Sequence, residues 1–315
     1  TFVATAHCLV WNNIKPVFVD IDPLTYTLNP DAVEAAINSK TTAILAVHVF
    51  GIPCDLHRLQ QIADKYHLAL IYDAAHAFGV NVLDPSRQSD DEKCAQNIGL
   101  YGDCSMFSLH ATKLYHAIEG GLLVFSDNQY KKTFEYLRNF GFENETEVVM
   151  VGTNAKMNEM QALMGDLMLP DLPMIIAKRK QLIRAYVDGL KNVDGIDIHC
   201  LTGMLAMEEQ YQSSKLESKQ SFLYSPNFAY CPIEVLPSYG LTRNMLYEEF
   251  KLYNVFTRRY FYPLLTDFDC YRSTNLPNLP QATCIAERII TLPIYYDLSV
   301  DDVNQICSII TGLRK

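Results

Sequence analysis

The chain has 315 residues, 49% of them hydrophobic and 20% charged, and its 26 Lys and Arg face 36 Asp and Glu for a net charge of −10. That size and composition describe a folded chain of roughly two domains, and the acidic balance argues against nucleic acid or an anionic membrane surface as a general partner. Nine cysteines, odd in number and without a C-x-x-C pair, read as reduced thiols rather than disulfides or metal ligands; no apolar run reaches the ~18 residues of a membrane span, and with no signal-peptide pattern the expected location is cytoplasmic.

Thr1 to Asn12 reads as the start of a helix with apolar Val3, Cys8, Leu9 and Val10. Lys15 to Asp20 is a continuous β-branched and aromatic run, which predicts a buried strand. Asn29-Pro30, followed by Asp31 and Glu34, has the cap, the first-position proline and the early acids of a helix. Thr42 to Val49 predicts a strand, and Asp55 caps a helix from Leu56 to Tyr66 whose apolar residues recur at helical spacing. Leu68 to Tyr72 is the next strand. Alternating apolar strands and helices predict an α/β fold with a mostly parallel central sheet covered on both faces. Ligands of such sheets sit beyond the carboxyl ends of the strands.

Pro85 to Asn97 is polar and reads as a surface loop. Strands are predicted at 104–109 and 121–126, then a helix from Asn128 to Arg138 and an irregular loop from Phe140 to Val151. A helix beginning near Thr153 or Asn154 leads toward Gly165, and Pro173 to Leu190 reads as a long amphipathic helix. Residues 206–221 are polar and resemble an insertion loop; Ser225 to Val235 reads as a strand and Leu241 to Tyr253 as a helix. Ala282 to Ile289 is predicted helical, and Ser299 opens the last helix with a capping turn. The expected division is a large domain over 1–170, a connecting helix over 171–192 and a smaller C-terminal α+β domain over 193–315.

Two pieces carry chemistry. Ile71-Tyr-Asp73-Ala-Ala-His76 is an apolar strand ending on an acid, and Cys104 to Leu109 is a strand followed by a polar turn, Lys113 and Glu119-Gly-Gly. A buried lysine, its pKa lowered by desolvation, forms a Schiff base with a carbonyl cofactor. A buried carboxylate pairs with a pyridinium nitrogen. Both are what pyridoxal 5'-phosphate (PLP) requires of a protein.

Taken together, Ser-x-His-x-Thr-Lys, Glu-Gly-Gly and the Asp73 strand resemble the sugar aminotransferases of the DegT/DnrJ/EryC1/StrS family, which are PLP enzymes of the aspartate-aminotransferase fold (fold type I). The match runs from Thr1 to about Leu163 and continues more weakly to the C-terminus. The resemblance implies Lys113 as the Schiff-base lysine and Asp73 as the partner of the ring nitrogen. His76 falls near the ring, where a packed core histidine is the other reading. Ser108 would donate to the phosphate, and His110 and Thr112 are weaker candidates. Phe2 would lie against the ring or else be a core phenylalanine. Asn154 would reach the neighbouring subunit's PLP phosphate across a homodimer interface. Arg258, Arg259 and Tyr260 either bind the pyrophosphate of a nucleotide sugar or form a solvated basic pair beside core aromatics.

The implied reaction moves an amino group, from glutamate, to a nucleotide-linked keto-deoxysugar such as a dTDP-4-keto-6-deoxyhexose, in the biosynthesis of cell-surface polysaccharide or secondary-metabolite sugars. Amination at C3 is the nearest rival. A PLP sugar dehydratase carries histidine in place of the lysine, against which Lys113 argues. The family's opening helix and Ser-Gly-Thr phosphate loop would precede Thr1, so the expectation includes a fragment or a truncated, non-catalytic remnant.

Overall fold

The computed structural model describes residues 1–87, 95–214, 216, 220–272 and 277–314. Helices α1 (Val3–Trp11) and α2 (Pro30–Ala36) precede strand β1 (Ala43–Val47), helix α3 (Leu56–Tyr66) and strand β2 (Ala69–Asp73). Strands β3 (Asn81–Leu83), β4 (Gln96–Asn97), β5 (Cys104–Ser108) and β6 (Gly121–Phe125) follow, then α4 (Gln129–Arg138), α5 (Glu159–Met168) and α6 (Leu172–Leu190). The remainder holds β7 (Ile196–Asp197), α7 (His199–Ser213), β8 (Leu223–Ser225), β9 (Cys231–Val235), α8 (Arg243–Leu252), α9 (Pro280–Arg288), β10 (Ile289–Leu292) and α10 (Val300–Leu313).

The main sheet has the order β1-β2-β5-β6. β1, β2 and β5 run parallel, with Val47 opposite Asp73 and Asp73 opposite Met106, and β6 returns antiparallel along the edge. Asp73 therefore ends the strand between two parallel neighbours, where side chains from three strand ends converge. The helices predicted after Asn29, Asp55 and Ser299 form with the expected caps. The Asn29 side chain accepts from the N–H groups of Asp31 and Ala32, Asp55 accepts from Arg58, and Ser299 closes a capping box with Asp302. α3 lays Leu56, Leu59, Ile62 and Ala63 on the core. A second sheet, β10-β9-β7, is antiparallel, and a third, β4-β3-β8, joins the middle of the chain to its second half. One core cluster takes in Leu70 and Tyr72 of the main sheet, Tyr186 of α6, Ile233 of β9 and Ile310 of α10.

Several expectations change. Lys15 to Asp20 belongs to no strand, and Val17 is exposed. A β-prone run becomes a strand only beside a partner, and here the segment is spent otherwise: the Asp20 carboxylate accepts from the N–H groups of Gln281 and Ala282 at 3.0 and 2.8 Å, capping α9. Residues 206–213 are the end of α7 rather than a loop. Its buried Glu208 is paired with Lys180 at 3.0 Å and accepts from Ser225, so the polar residues have partners instead of solvent. The expected strand from Ser225 to Val235 is two strands in different sheets, separated by a turn in which Phe228 has φ 50°. The helix after Gly152 is capped by Asn158 in a capping box with Gln161, not by Thr153 or Asn154. The 140–151 loop is a small excursion held by antiparallel bridges Asn139–Asn154 and Phe142–Val148. Of the polar loop at 85–97, residues 88–94 lie outside the described residues, as do 215 and 217–219 of the insertion-like stretch. No helix among the described residues is long and apolar enough to cross a membrane.

Candidate active site

Asp73 is buried at the end of β2 and both its carboxylate oxygens are acceptors. Oδ1 takes the N–H of Ala75 at 3.0 Å and Oδ2 takes the hydroxyl of Thr5, on α1, at 2.6 Å. No lysine or arginine forms an ion pair with it among the described residues. A buried acid without a counter-ion is costly unless a cation completes it. Lys113 follows β5 in a tight turn, its N–H bonded to the His110 carbonyl at 2.9 Å. Burial pulls its ammonium below the usual lysine range, and the negative charge of Asp73 opposes that shift.

His76 closes the group from the loop after β2. Its Nδ1 accepts from the Phe50 N–H at 3.1 Å, so the ring proton is on Nε2. Burial first, and the positive charge of Lys113 second, hold it well below the usual histidine range. The ring sits among Tyr230 at 4.3 Å, Phe261 at 5.7 Å and Phe50 at 6.3 Å. Asn227, fully buried, anchors this loop by donating to the carbonyls of His76 at 2.7 Å and Phe78 at 3.0 Å.

Ser108 stands partly buried at the end of β5, its Oγ accepting from His110 N–H at 3.4 Å. His110 and Thr112 bond to each other at 2.8 Å, and His110 also approaches Glu119 at 3.5 Å. His48 is core: it stacks on Tyr72 at 4.4 Å, and burial drives its pKa down to about 3.

A second region opens beside this group. Phe2, Arg258, Arg259, Tyr260, Phe261 and Tyr262 line an open cleft of about 550 Å³. Phe261 joins the two regions, since it packs on His76, on Tyr260 at 4.8 Å and on Phe2 at 6.4 Å. Phe2 is thus largely exposed at the cleft rather than a core residue. The Arg258 backbone pairs with Thr291, and its side chain is exposed. Arg259 bonds to Asn244 at 3.1 Å and lies over the rings of Tyr247 and Tyr262. Neither guanidinium has an ion pair among the described residues, so both keep donors for an anion. Asn154 touches none of these groups; it is exposed and pairs through its backbone with Asn139.

Sequence reasoning missed Thr5, Asn227 and Arg243. Arg243 is buried beneath the Tyr262 ring at 4.4 Å, with its pKa lowered to about 10, first by burial and then by Arg259. A threonine in a helix and an asparagine in a turn look ordinary in sequence, and only the tertiary fold shows what they hold.

The donor set suits PLP: a partly buried amine whose pKa is lowered by burial for a carbonyl, and a buried carboxylate without an ion pair among the described residues for a ring cation. The comparisons agree. The sequence profile of the DegT/DnrJ/EryC1/StrS aminotransferase family matches residues 1–311. A dTDP-4-amino-4,6-dideoxy-D-glucose transaminase of Shigella dysenteriae is 38% identical over 100% of this chain and 78% of its own length. A transaminase of the same name from Escherichia coli is 34% identical over 99% and 77%. The crystal structure of DesI with its TDP-sugar product superposes with a TM-score of 0.83 at 32% identity, over 99% of this chain and 72% of that one. The chain belongs to the DegT/DnrJ/EryC1/StrS aminotransferase family. It is a PLP-dependent aminotransferase of nucleotide-linked sugars with the PLP-transferase fold.

Proposed function

We propose that the chain transfers the amino group of glutamate to the C4 carbonyl of a dTDP-4-keto-6-deoxyhexose, giving the 4-amino sugar nucleotide and 2-oxoglutarate. The grouping of partly buried Lys113 with buried Asp73 and His76 carries the reading of the chemistry, and the names of the two transaminases similar over the whole chain support the sugar. PLP, when bound, supplies an electron sink for both half-reactions. Lys113 Nζ would hold the cofactor and, once displaced by the donor, carry the proton to and from the substrate carbon, a role that its burial-lowered pKa favours. Asp73 would hold the ring nitrogen in its protonated form. His76 would lie along the ring with Phe2 near it, and Ser108 would donate to the phosphate. Arg258, Arg259 and Tyr260 would receive the sugar nucleotide's pyrophosphate in the adjoining cleft.

The reading includes a homodimer with shared sites, in which Asn154 serves the partner's phosphate. Leu122 and Leu123 on the edge strand β6, with Met160, Leu163 and Leu167 on α5, leave an exposed apolar surface of the kind a second subunit would cover. It also includes the division into a large and a small domain joined by α6, a cytoplasmic location and a place in polysaccharide or secondary-metabolite sugar synthesis.

The test is reductive trapping. The protein is incubated with PLP and borohydride, the pyridoxyl group is located by peptide mass, and glutamate-dependent amination of dTDP-4-keto-6-deoxyglucose is followed. A pyridoxyl group on Lys113 and a 4-amino product are expected. A label elsewhere, or none, ends the assignment of Lys113, and amination at C3 ends that of C4.

A further inference from the structure

Thr5 donates its hydroxyl hydrogen bond to a residue 68 positions away. In a helix a threonine hydroxyl ordinarily bonds back to the carbonyl one turn earlier. Here, at the third position of α1, it donates to Asp73 Oδ2 at 2.6 Å, with both residues buried. The hydroxyl of Thr1 approaches Thr5 Oγ1 at 3.1 Å as a donor, which leaves the single Thr5 proton committed to the carboxylate. The other oxygen, Oδ1, is held by the Ala75 N–H, a local turn bond that any aspartate after this strand could make. Thr5 is the contact that fixes the carboxylate from outside its own loop.

We propose that Thr5 is a positioning residue for Asp73: its hydroxyl sets the rotation of the carboxylate and holds its charge where a cationic heterocycle must be met. This rests on the reading of Asp73 as the partner of the cofactor's ring nitrogen. Each carboxylate oxygen keeps acceptor capacity after its one hydrogen bond, and Asp73 lacks an ion pair among the described residues, so that capacity is free for a ring N–H. Without Thr5 the carboxylate is tethered at one oxygen and can rotate, and a buried charge loses one of the two donors that offset its desolvation.

The test separates positioning from mere packing. Thr5→Val keeps the shape and removes the hydroxyl; Thr5→Ser keeps the hydroxyl. Dissociation constants are measured for PLP and for its 1-deaza analogue, in which C–H replaces the ring nitrogen. Thr5→Val is expected to bind PLP about tenfold more weakly, as befits a lost charge-assisted hydrogen bond, and to bind the deaza analogue as wild type does. Thr5→Ser should restore PLP binding, and the visible absorption of bound PLP in Thr5→Val should shift toward the form with an unprotonated ring. Equal weakening of both ligands reduces Thr5 to packing and overturns the proposal, as does no weakening of either. If Thr5→Val does not fold, Thr5→Ala is read by the same two ligands. A wild-type protein that binds PLP and its deaza analogue equally refutes the reading of Asp73 itself, an outcome distinct from failure of the Thr5 proposal.

Discussion

Asn227 makes the most demanding structural prediction, because one side chain joins the second half of the chain to the loop that carries His76. Its amide donates to the carbonyls of His76 at 2.7 Å and Phe78 at 3.0 Å, and its Oδ1 accepts from Ala229 N–H at 3.1 Å. Asn227→Ala removes all three bonds and strands two carbonyls and an N–H in a dry place. At about 1 kcal/mol net for each bond, with a further penalty for groups left unpaired, the loss is about 3–5 kcal/mol. For a chain of this size that is a fall in Tm of roughly 5–8 °C. Asn227→Asp keeps the volume but turns an acceptor toward the two carbonyls, so it should be at least as damaging. A methyl at Gly51, where φ is 82°, would come within 2.5 Å of Asn227 Oδ1 and 2.9 Å of the His76 carbonyl, so Gly51→Ala should strain the same junction. Scanning calorimetry on the four proteins measures this. A fall under about 2 °C in Asn227→Ala would show that water or neighbouring groups replace the amide, and would refute the claim that it anchors the His76 loop.

Asp73→Asn removes the negative charge that holds the Lys113 pKa up against burial, so Lys113 becomes easier to deprotonate. In cofactor-free protein, acetylation of Lys113 by acetic anhydride, followed by peptide mass, should then reach half its maximal rate at lower pH than in wild type, and an unmoved midpoint contradicts the electrostatic link. Burial raises the pKa of Glu234, on β9, above the usual glutamate range, with a hydrogen bond from Tyr26 at 2.8 Å opposing. An acid whose folded pKa is raised costs stability as pH climbs from the unfolded value through the folded one. Glu234→Gln should therefore gain stability over wild type near pH 7 and lose that advantage below about pH 4.5; an advantage that does not change with pH denies the linkage. Leu163→Glu on α5 should convert a dimer to monomers in sedimentation, whereas an intact dimer moves the interface elsewhere. Arg259→Ala should raise KM for the nucleotide sugar about tenfold, as expected for one lost charged contact, and leave that for glutamate unchanged. Equal effects on both substrates remove Arg259 from the sugar subsite.

The parts of the fold that were legible in the sequence are those whose signal is local. Asn29, Asp55, Thr242 and Ser299 each cap the helix they precede, because a cap is a bond between residues two or three apart. The parallel strands were legible because burial on both faces writes a continuous apolar run, as in Leu70 to Tyr72. What failed was whatever depends on a partner far along the chain. Val17 and Val19 have strand chemistry but no strand beside them. Glu208 looks like loop polarity until Lys180 and Ser225 are seen to satisfy it. The residues around the cofactor group divide in the same way. Asp73 and Lys113 announce themselves by standing just past apolar strands, while Thr5 and Asn227 act only through contacts 68 and 151 residues distant.

The same split explains how one patch holds an acid and an amine by different contacts. Desolvation lowers the pKa of a buried amine and makes a buried carboxylate costly unless hydrogen bonds offset it. The fold treats them differently. Asp73 receives two hydrogen bonds, from Thr5 and Ala75, in the pattern of a carboxylate with both oxygens accepting. Lys113 is pulled low by burial and held back only by the field of Asp73. His76 cannot share the proton load, because the Phe50 N–H occupies its Nδ1 and the Lys113 charge further disfavours an imidazolium. A carboxylate with both oxygens accepting and a histidine held well below its usual range owe their state to contacts from α1 and from the turn after β1. Neither segment would be singled out by its own residues, so the site's hydrogen-bond pattern belongs to the tertiary fold and not to the motif.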